Sequence, residues 1–323
     1  MCFQSLYANV LHVYIFIKTT TMPGLILLGF AELHKFHPFL FSLLLLVYMA
    51  TLLANSLIVL IIQLDPVLNT PMHFFLMHLS CLEMFYVSTT TPKMLETLLL
   101  QPTSISLLGC AVQMFLFLFF GAAECFLLAS MAFDRYLAIC NPLRYTIIMS
   151  RKVCINMVVG SYMCGTVAGL VHTMVTFHLP FCGVVINHFF CEIQPLLELF
   201  CGDTFLIEIQ VIAMAMIAIL LPFLLIILSY SCIISTIVSM PSAKSRQKAF
   251  STCSSHLLVV TLFYGTASTI YLKPRSSYSP SVDKLLSLSY TVVTPLLNPV
   301  IYSLRNKEVK WALRKLWRKL FGV

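Results

Sequence analysis

The hydrophobic residues of this chain fall into seven long runs separated by short polar segments. A helix that spans a bilayer needs about 20 mostly apolar residues, and each run reaches that length. Only helices and closed barrels satisfy their backbone in hydrocarbon, and barrel strands alternate over about 10 residues. The pattern therefore predicts an all-α membrane protein, a seven-transmembrane helix bundle. The predicted spans begin and end near these residues: Phe39 to Ile62, Phe74 to Leu95, Ile105 to Leu137, Val153 to Val175, Phe205 to Val238, Ala249 to Leu272 and Leu285 to Leu304.

Composition supports a body dissolved in lipid. Of the 323 residues, 59% are hydrophobic and 10% are charged, whereas a soluble globular protein carries about 25% charged residues. The loops between the runs are short, so no separate soluble domain is expected. The composition also excludes a disordered or fibrous chain.

Orientation follows from the basic residues, which concentrate on the cytoplasmic side of membrane proteins. Seven spans place the termini on opposite sides, and 14 of the 20 Lys and Arg residues fall on the side of the C-terminus. The sequence therefore predicts a cytoplasmic C-terminus and an outside N-terminus. The net charge of +8 then reflects topology and attraction to anionic membrane lipid, and no nucleic-acid partner is expected.

Two further segments flank the spans. Apolar residues from Val309 to Phe321 recur at helical spacing with Lys and Arg between them, which predicts an amphipathic helix on the inner membrane surface. The apolar run from Leu6 to Ile17 is too short to span and lacks the basic start of a signal peptide. The predicted organisation is an extracellular tail over 1–38, atypical over 1–21, a seven-span domain over 39–304, and a cytoplasmic amphipathic helix and tail over 305–323.

Four motifs narrow the class of seven-helix protein. They are Pro71-Met72-His73-Phe74-Phe75-Leu76 after the first inner loop, Met131-Ala132-Phe133-Asp134-Arg135-Tyr136-Leu137-Ala138-Ile139-Cys140 in the third span, Lys248-Ala249-Phe250-Ser251-Thr252-Cys253-Ser254-Ser255-His256 in the sixth and Pro295-Leu296-Leu297-Asn298-Pro299-Val300-Ile301-Tyr302 in the seventh. Together they closely resemble the vertebrate odorant (olfactory) receptors, a branch of the rhodopsin-like (class A) G-protein-coupled receptors. The resemblance extends from about Leu27 to Leu316.

The resemblance implies which residues carry activation. Arg135 is a permanent cation at the membrane boundary and needs a partner such as Asp134; in the family this arginine is released to meet the G protein. Pro299 breaks the helix ladder, and in the family Tyr302 then swings inward alongside Tyr230. The implied activation and coupling residues are Asp134, Arg135, Tyr136, Tyr230, Lys244, Arg246, Lys248, Asn298, Pro299 and Tyr302.

Two carboxylates lie inside predicted spans. Glu83 and Glu124 would each cost about 2.5–3.5 kcal/mol if ionised and unpaired at mid-membrane, so they face the bundle interior. By resemblance they lie near Asn55 and Asn298, where rhodopsin-like receptors bind a sodium ion or hold a proton. The alternative is a pair of protonated, hydrogen-bonded carboxyls without an ion. Apart from this candidate Na⁺, no cofactor is expected.

Four of the 12 cysteines fall on the predicted outer side, where disulfides persist: Cys110, Cys182, Cys191 and Cys201. Four cysteines allow three pairings. The family pattern implies Cys110–Cys191 and Cys182–Cys201. The stretch from His188 to Glu192 resembles a loop proposed to bind copper in some odorant receptors, but a disulfide would occupy the Cys191 thiolate, so no metal site is expected.

The resemblance also places a ligand pocket in the outer half of the bundle. No Asp or Glu stands where amine receptors of the wider class anchor a cation, so an ionic ligand would bear a large desolvation cost. The expected ligand is small, neutral and mostly apolar, with one hydrogen bond from Ser268, Tyr271 or Thr291. The implied pocket residues are Phe117, Leu118, Gly121, Ala122, Met214, Ala215, Ala218, Tyr264, Ala267, Ser268, Tyr271, Leu288 and Thr291.

The expected function is that of an odorant receptor at the plasma membrane that activates a heterotrimeric stimulatory G protein and raises cAMP. A transporter would show internal repeats and broken helices, and an intramembrane enzyme would need paired catalytic groups beyond Glu83 and Glu124. Neither pattern is present, so no enzyme is expected. A third alternative is a receptor-like protein that folds but does not signal or reach the surface. It gains weight because the chain contains no Asn-x-Ser/Thr glycosylation site, which the family normally carries in its outer tail.

Overall fold

A computed structural model of the chain describes residues 24–100, 103–202, 205–271, 280–305 and 307–321. The expectations for residues 1–21 lie outside this part of the chain. Within it, all seven predicted spans are long helices, which confirms the helical-bundle prediction. In chain order they are α1 (His37–Leu64), α2 (Pro71–Leu99), α3 (Leu107–Cys140), α4 (Arg151–Phe177), α5 (Phe205–Ala215, continued by Met216–Leu220 and Leu221–Ser239), α6 (Ala243–Tyr271) and α7 (Pro280–Leu288, Ser289–Val293 and Thr294–Arg305), followed by α8 (Lys307–Phe321).

Five segments of the described chain are long and apolar enough to cross a membrane by length and composition alone. They are Ala31–Leu64, Leu107–Cys140, Arg151–Phe177, Ile207–Ser239 and Val282–Tyr302. The helices α2 and α6 reach spanning length but carry more Ser, Thr, His and charged residues. Both contact several of the other helices, and buried polar residues such as Glu83 on α2 and His256 on α6 have protein neighbours.

Helix starts follow local capping signals. Pro71 opens α2, where its missing N–H costs nothing, and the Thr70 side chain accepts a hydrogen bond from the backbone N–H of His73. Ser106 caps α3 in the same way through Gly109. Because Ser106 sets that start, α3 begins at Leu107, two residues after the predicted start near Ile105, and Ile105 itself ends a strand.

A small three-stranded sheet closes one end of the bundle, which we name the sheet end. Its strands are β1 (Leu25–Leu27), β2 (Thr103–Ile105) and β3 (Val185–Ile186), in the order β2-β1-β3. β1 pairs antiparallel with β2 and parallel with β3. The sequence analysis did not predict these strands, since runs of two or three residues are too short to show an alternating pattern.

The helices α3 and α4 pack closely because α4 carries glycines at the contact. A Cβ on Gly165 would lie 2.5 Å from the carbonyl oxygen of Phe119, and one on Gly169 would lie 2.9 Å from that of Phe115. No larger residue allows this approach of two helix backbones. The contact fixes which residues of α4 face the interior of the bundle.

At the opposite end, which we name the α8 end, α8 lies against the loop after α1. Val309 and Ala312 are buried, and Lys315 Nζ lies 3.2 Å from Asp65 Oδ2. A hydrogen bond from the backbone N–H of Val67 lowers the pKa of Asp65, opposed by desolvation and assisted by Lys315. These contacts hold the predicted amphipathic helix against the bundle.

Candidate functional site

A cavity opens inside the bundle between its middle and the sheet end. About 80 Å³ inside it can hold the centre of a water-sized molecule. Among the described residues, no Asp, Glu, Lys or Arg side chain lines it, and most lining residues are apolar or small. The lining consists of Tyr86, Phe117, Leu118, Gly121, Ala122, Cys125, Ala168, His172, Val211, Met214, Ala215, Ala218, Ile219, Phe263, Ala267 and Tyr290.

Eight of the implied pocket residues meet at this cavity: Phe117, Leu118, Gly121, Ala122, Met214, Ala215, Ala218 and Ala267. They come from α3, α5 and α6. A Cβ built on Gly121 meets no atom within 4 Å, so this position is open rather than a helix contact. The side chains of Ser268 and Tyr271 lie outside the described residues.

Three of the implied pocket residues are placed elsewhere. The hydroxyl of Tyr264 donates to the Cys125 carbonyl oxygen at 3.3 Å, and that of Thr291 donates to the Ser287 carbonyl oxygen at 2.6 Å. Leu288 packs against a cluster of buried residues that includes Phe30 and also the cavity-lining Phe117 and Tyr290. None of the three is among the described residues that line the cavity.

The cavity wall also contains residues that the sequence analysis did not propose. Tyr86 from α2, Ala168 and His172 from α4 and Tyr290 from α7 line it, although α2 and α4 had no assigned pocket residue. One available signal was the spacing of Gly165, Gly169 and His172, which share one face of α4.

The loop between α4 and α5, which we name the roof, packs against the wall of the cavity, and two disulfides hold it. Cys110 at the start of α3 is joined to Cys191, and Cys182 is joined to Cys201, the two pairs that the resemblance implies. The ring of Phe190 lies 5.0 Å from that of Phe117. The aromatic roof therefore rests directly on a cavity wall.

A buried acid in the roof is bound to α7. Glu192 is 4% exposed, and its carboxyl group accepts hydrogen bonds from Tyr290 at 2.7 Å and Ser287 at 3.0 Å. Desolvation raises the pKa of Glu192 to about 7, against the opposing effect of these bonds. The neighbouring His188, with Nε2 3.6 Å from the Glu192 carboxyl group, is also buried, and desolvation lowers its pKa to about 3. His188 is therefore neutral at neutral pH, and Glu192 is protonated below about pH 7.

Below the cavity, three helices bring together a polar cluster. The side-chain amide of Asn298 donates to Glu83, and its nitrogen lies 3.5 Å from Glu124 Oε1. Asn55 instead donates to the backbone carbonyls of Thr51 at 3.0 Å and Pro295 at 3.3 Å. Both glutamates therefore contact Asn298 directly, as the sequence predicts. Asn55 contacts α7 through the backbone of Pro295 instead. Buried oxygens of Asn55, Glu83 and Asn298 have no partner in the part of the chain that the structure describes.

The α8 end carries the residues implied in coupling. Asp134 is fully buried, but the structure shows no ion pair between it and Arg135. Its carboxylate instead accepts a hydrogen bond from Tyr145 at 2.8 Å, and the Arg135 Nε has no partner among the described residues. Asp134 is therefore hydrogen-bonded to Tyr145, on the short helix Tyr145–Ile148, while the charge of the neighbouring Arg135 still acts on it.

Tyr230 and Tyr302 are both buried near this end. Tyr230 bonds to His256 Nδ1 at 2.8 Å, while the Tyr302 hydroxyl has no partner among the described residues. Pro299 lies inside α7. Tyr136 is half-buried, and Lys244 and Arg246 are exposed; the side chain of Lys248 lies outside the described residues. The described chain contains no group of three or more His, Cys, Asp or Glu side chains placed to hold a metal ion.

Comparison with solved structures identifies the architecture. The crystal structure of squid rhodopsin superposes with a TM-score of 0.71 at 16% sequence identity, covering 89% of this chain and 87% of that one. At this identity the likeness concerns the fold alone, which is the bundle of a rhodopsin-like receptor.

Comparison with sequences identifies the family. A family model described as Olfactory receptor matches residues 44–319. The human Olfactory receptor 10C1 is 53% identical over 303 residues, covering 94% of this chain and 97% of that protein. The human Olfactory receptor 10A3 is 50% identical over 295 residues, covering 91% and 94%. The chain therefore belongs to the olfactory receptor family of G-protein-coupled receptors, which are multi-pass proteins of the plasma membrane and not enzymes.

Proposed function

We propose that this protein binds small, uncharged, mostly apolar odorants in the cavity and activates a heterotrimeric G protein of the stimulatory type, which raises cAMP. The observation that carries the proposal is the cavity, with its apolar lining and an absence of charged side chains among its described residues. A charged ligand would lose its hydration there without gaining a counter-charge. A neutral molecule bears no such cost.

Simple energetics agree with an odorant of modest affinity. A ligand of about 12 heavy atoms that gains roughly −0.5 kcal/mol per atom binds with about −6 kcal/mol. This corresponds to a dissociation constant on the order of tens of micromolar. Such binding depends on the shape of the cavity more than on polar anchors.

The proposal assigns the α8 end to the cytoplasm, because the Lys and Arg residues concentrate there and this bias sets orientation. Residues 1–38 then form the outside tail, 39–304 the receptor domain and 305–323 the cytoplasmic segment. The G protein binds at Arg135, with Lys244, Arg246 and Lys248 around it. Activation is a population shift, so the ligand must bind the active arrangement more tightly than the resting one.

We also propose that Glu83 and Glu124 hold one sodium ion, or share a proton, in the resting state. Sodium prefers hard oxygen ligands, and the cluster offers buried oxygens of Glu83, Asn55 and Asn298 that no described residue satisfies. An ion held by these oxygens and by Glu124 would join α1, α2, α3 and α7.

The test uses cells that express the receptor with the olfactory stimulatory G protein, with surface staining to confirm delivery. A panel of small neutral volatiles is expected to raise cAMP. Gly121→Leu fills the open position in the cavity and is expected to weaken the larger ligands by about tenfold or more. Gly160→Leu is the matched control, because a Cβ there also meets no atom within 4 Å but the residue does not line this cavity. A wild-type receptor that reaches the surface and answers no neutral volatile, or a Gly121→Leu variant identical to wild type, contradicts the proposal.

A further inference from the structure

His172 brings an imidazole ring to the wall of an otherwise mostly apolar cavity. The residue lies on α4, which the resemblance did not assign to the pocket. Its side chain is 7% exposed, so it is nearly enclosed by protein. Burying a polar ring without hydrogen-bond partners costs free energy. The partners of its two ring nitrogens therefore show whether His172 has a hydrogen-bonding position left for a ligand.

One nitrogen of the ring is satisfied within its own helix. Nδ1 lies 3.1 Å from the carbonyl oxygen of Ala168. A carbonyl oxygen can only accept, so Nδ1 must carry the proton and donate. In a neutral imidazole the other nitrogen is then a bare acceptor.

The neutral form fits the surroundings of the ring. No Asp or Glu is among the described residues that line the cavity, and a buried imidazolium would lack a counter-charge. His172 therefore presents Nε2 as an acceptor. Nε2 has no hydrogen-bond partner in the described chain. It is also not completely enclosed by protein, so a ligand atom can reach it.

The packing of α4 holds this acceptor in place. Gly165 and Gly169 allow α4 to approach the backbone of α3, and His172 follows them on the same helical face. The bond from Nδ1 to Ala168 also fixes the ring. A preorganised acceptor gives more selectivity than a flexible one, because less conformational freedom is lost on binding.

We propose that His172 Nε2 accepts a hydrogen bond from the hydroxyl group of the ligand, so that the preferred ligands are small uncharged alcohols and phenols. Ethers and aldehydes of the same size cannot donate this bond and would leave Nε2 unpaired. The inference rests on the proposed function and narrows its ligand class. It also differs from the expectation that Ser268, Tyr271 or Thr291 supplies the polar contact.

The experiment uses probe pairs with equal numbers of heavy atoms: 1-octanol against heptyl methyl ether, and 4-propylphenol against 4-ethylanisole. Binding is measured as thermal stabilisation of the purified full-length receptor, and signalling is measured as cAMP in cells. Wild type is expected to favour the hydroxyl member of at least one pair by about tenfold, the usual size of one buried hydrogen bond with its desolvation.

Two variants separate the acceptor from the shape of the wall. His172→Phe keeps an aromatic ring without the acceptor and is expected to abolish the preference while the ether still binds. His172→Gln supplies an amide oxygen and is expected to restore part of it. An unchanged alcohol-to-ether ratio in His172→Phe overturns the inference, as does a wild-type preference for both ethers.

The proposed function can fail separately. A surface-displayed wild type that binds the alcohols but raises no cAMP contradicts signalling and leaves the role of His172 supported. A wild type that neither binds nor responds to any of the four probes overturns the ligand class assigned here, while other neutral volatiles still test the wider proposal.

Discussion

Tyr290 joins the wall of the cavity to its roof through a 2.7 Å hydrogen bond from its hydroxyl to Oε1 of Glu192. The same side chain lines the cavity, and its ring lies 5.7 Å from that of Phe117. A ligand that displaces this ring would also disturb the buried carboxyl group above it. The Tyr290 side chain therefore links α7 to the roof at the place where a ligand would bind.

Glu192 should make the stability of the receptor depend on pH. Its pKa is raised from 4.5 to about 7, so the folded protein holds a proton that the unfolded chain loses at lower pH. The stabilisation is complete below the unfolded value and is lost as pH rises through about 7. Between pH 6.5 and 8 the free energy of unfolding is expected to fall by about 1 kcal/mol, measured by thermal denaturation in detergent.

Glu192→Gln is the matched variant, because the amide stays neutral and can still accept from Tyr290. It should remove the decrease above pH 6.5. The His188 pKa is lowered from 6.5 to about 3, so His188 acts in the opposite direction and costs stability as pH falls below 6.5. The variant should thus keep only the loss on the acid side. A decrease above pH 6.5 that is equal in both proteins would remove Glu192 as its source.

The helical fold was predictable from the sequence because the bilayer imposes long apolar runs. The helix ends were less accessible. Five of the seven helices begin before the predicted run, α5 begins with it, and α3 begins two residues after it. Thr70 with Pro71 and Ser106, which are polar or small, set the starts of α2 and α3. The three short strands left no period to detect, and they form only because the chain returns to β1 from distant segments.

Sequence reasoning could predict a cavity-lining residue only where its position along one helix is enough to place it at the cavity. Residues such as Phe117 and Gly121 follow from their place on α3. His172 and Tyr86 depend on how closely α4 and α2 approach α3, which is a tertiary property. The same limit explains the bond from Tyr145 to Asp134: the pairing depends on a loop fold, and sequence adjacency pointed to Arg135 instead.

Gly165→Ala should destabilise the receptor, because the new Cβ would lie 2.5 Å from the Phe119 carbonyl oxygen and would push α4 away from α3. Overpacking of this kind costs about 1–3 kcal/mol. Gly160→Ala on the same helix is the control, since its Cβ would meet open space. Thermal denaturation should show a lower transition for Gly165→Ala alone. Equal transitions in the two variants would mean that the close contact does not limit stability.

His256 should restrain α6 in the resting state. Its Nε2 lies 3.1 Å from the Leu128 carbonyl oxygen on α3, so Nε2 donates and Nδ1 accepts from Tyr230 on α5. His256→Phe removes both bonds and is expected to cost about 1–3 kcal/mol of stability and to raise basal cAMP several-fold. Tyr230→Phe keeps the bond to α3 and should show a smaller effect. Basal cAMP that is unchanged in both variants would argue against this restraint.

Glu83 and Glu124 should make the basal signalling of the receptor sensitive to sodium. If sodium binds between them, raising the sodium concentration at constant ionic strength should lower the basal signalling of wild type, because the ion stabilises the resting arrangement. Glu83→Gln and Glu124→Gln should each abolish that response, since an amide lacks the charge that offsets the dehydration of the ion. Choline replaces sodium in the control medium, and Ser80→Ala is the control variant, as Ser80 is a buried polar residue of α2 outside the cluster. If wild type does not respond to sodium while both Gln variants alter basal signalling, a shared proton accounts for the pair. A sodium response that persists in both Gln variants would place the ion elsewhere in the protein.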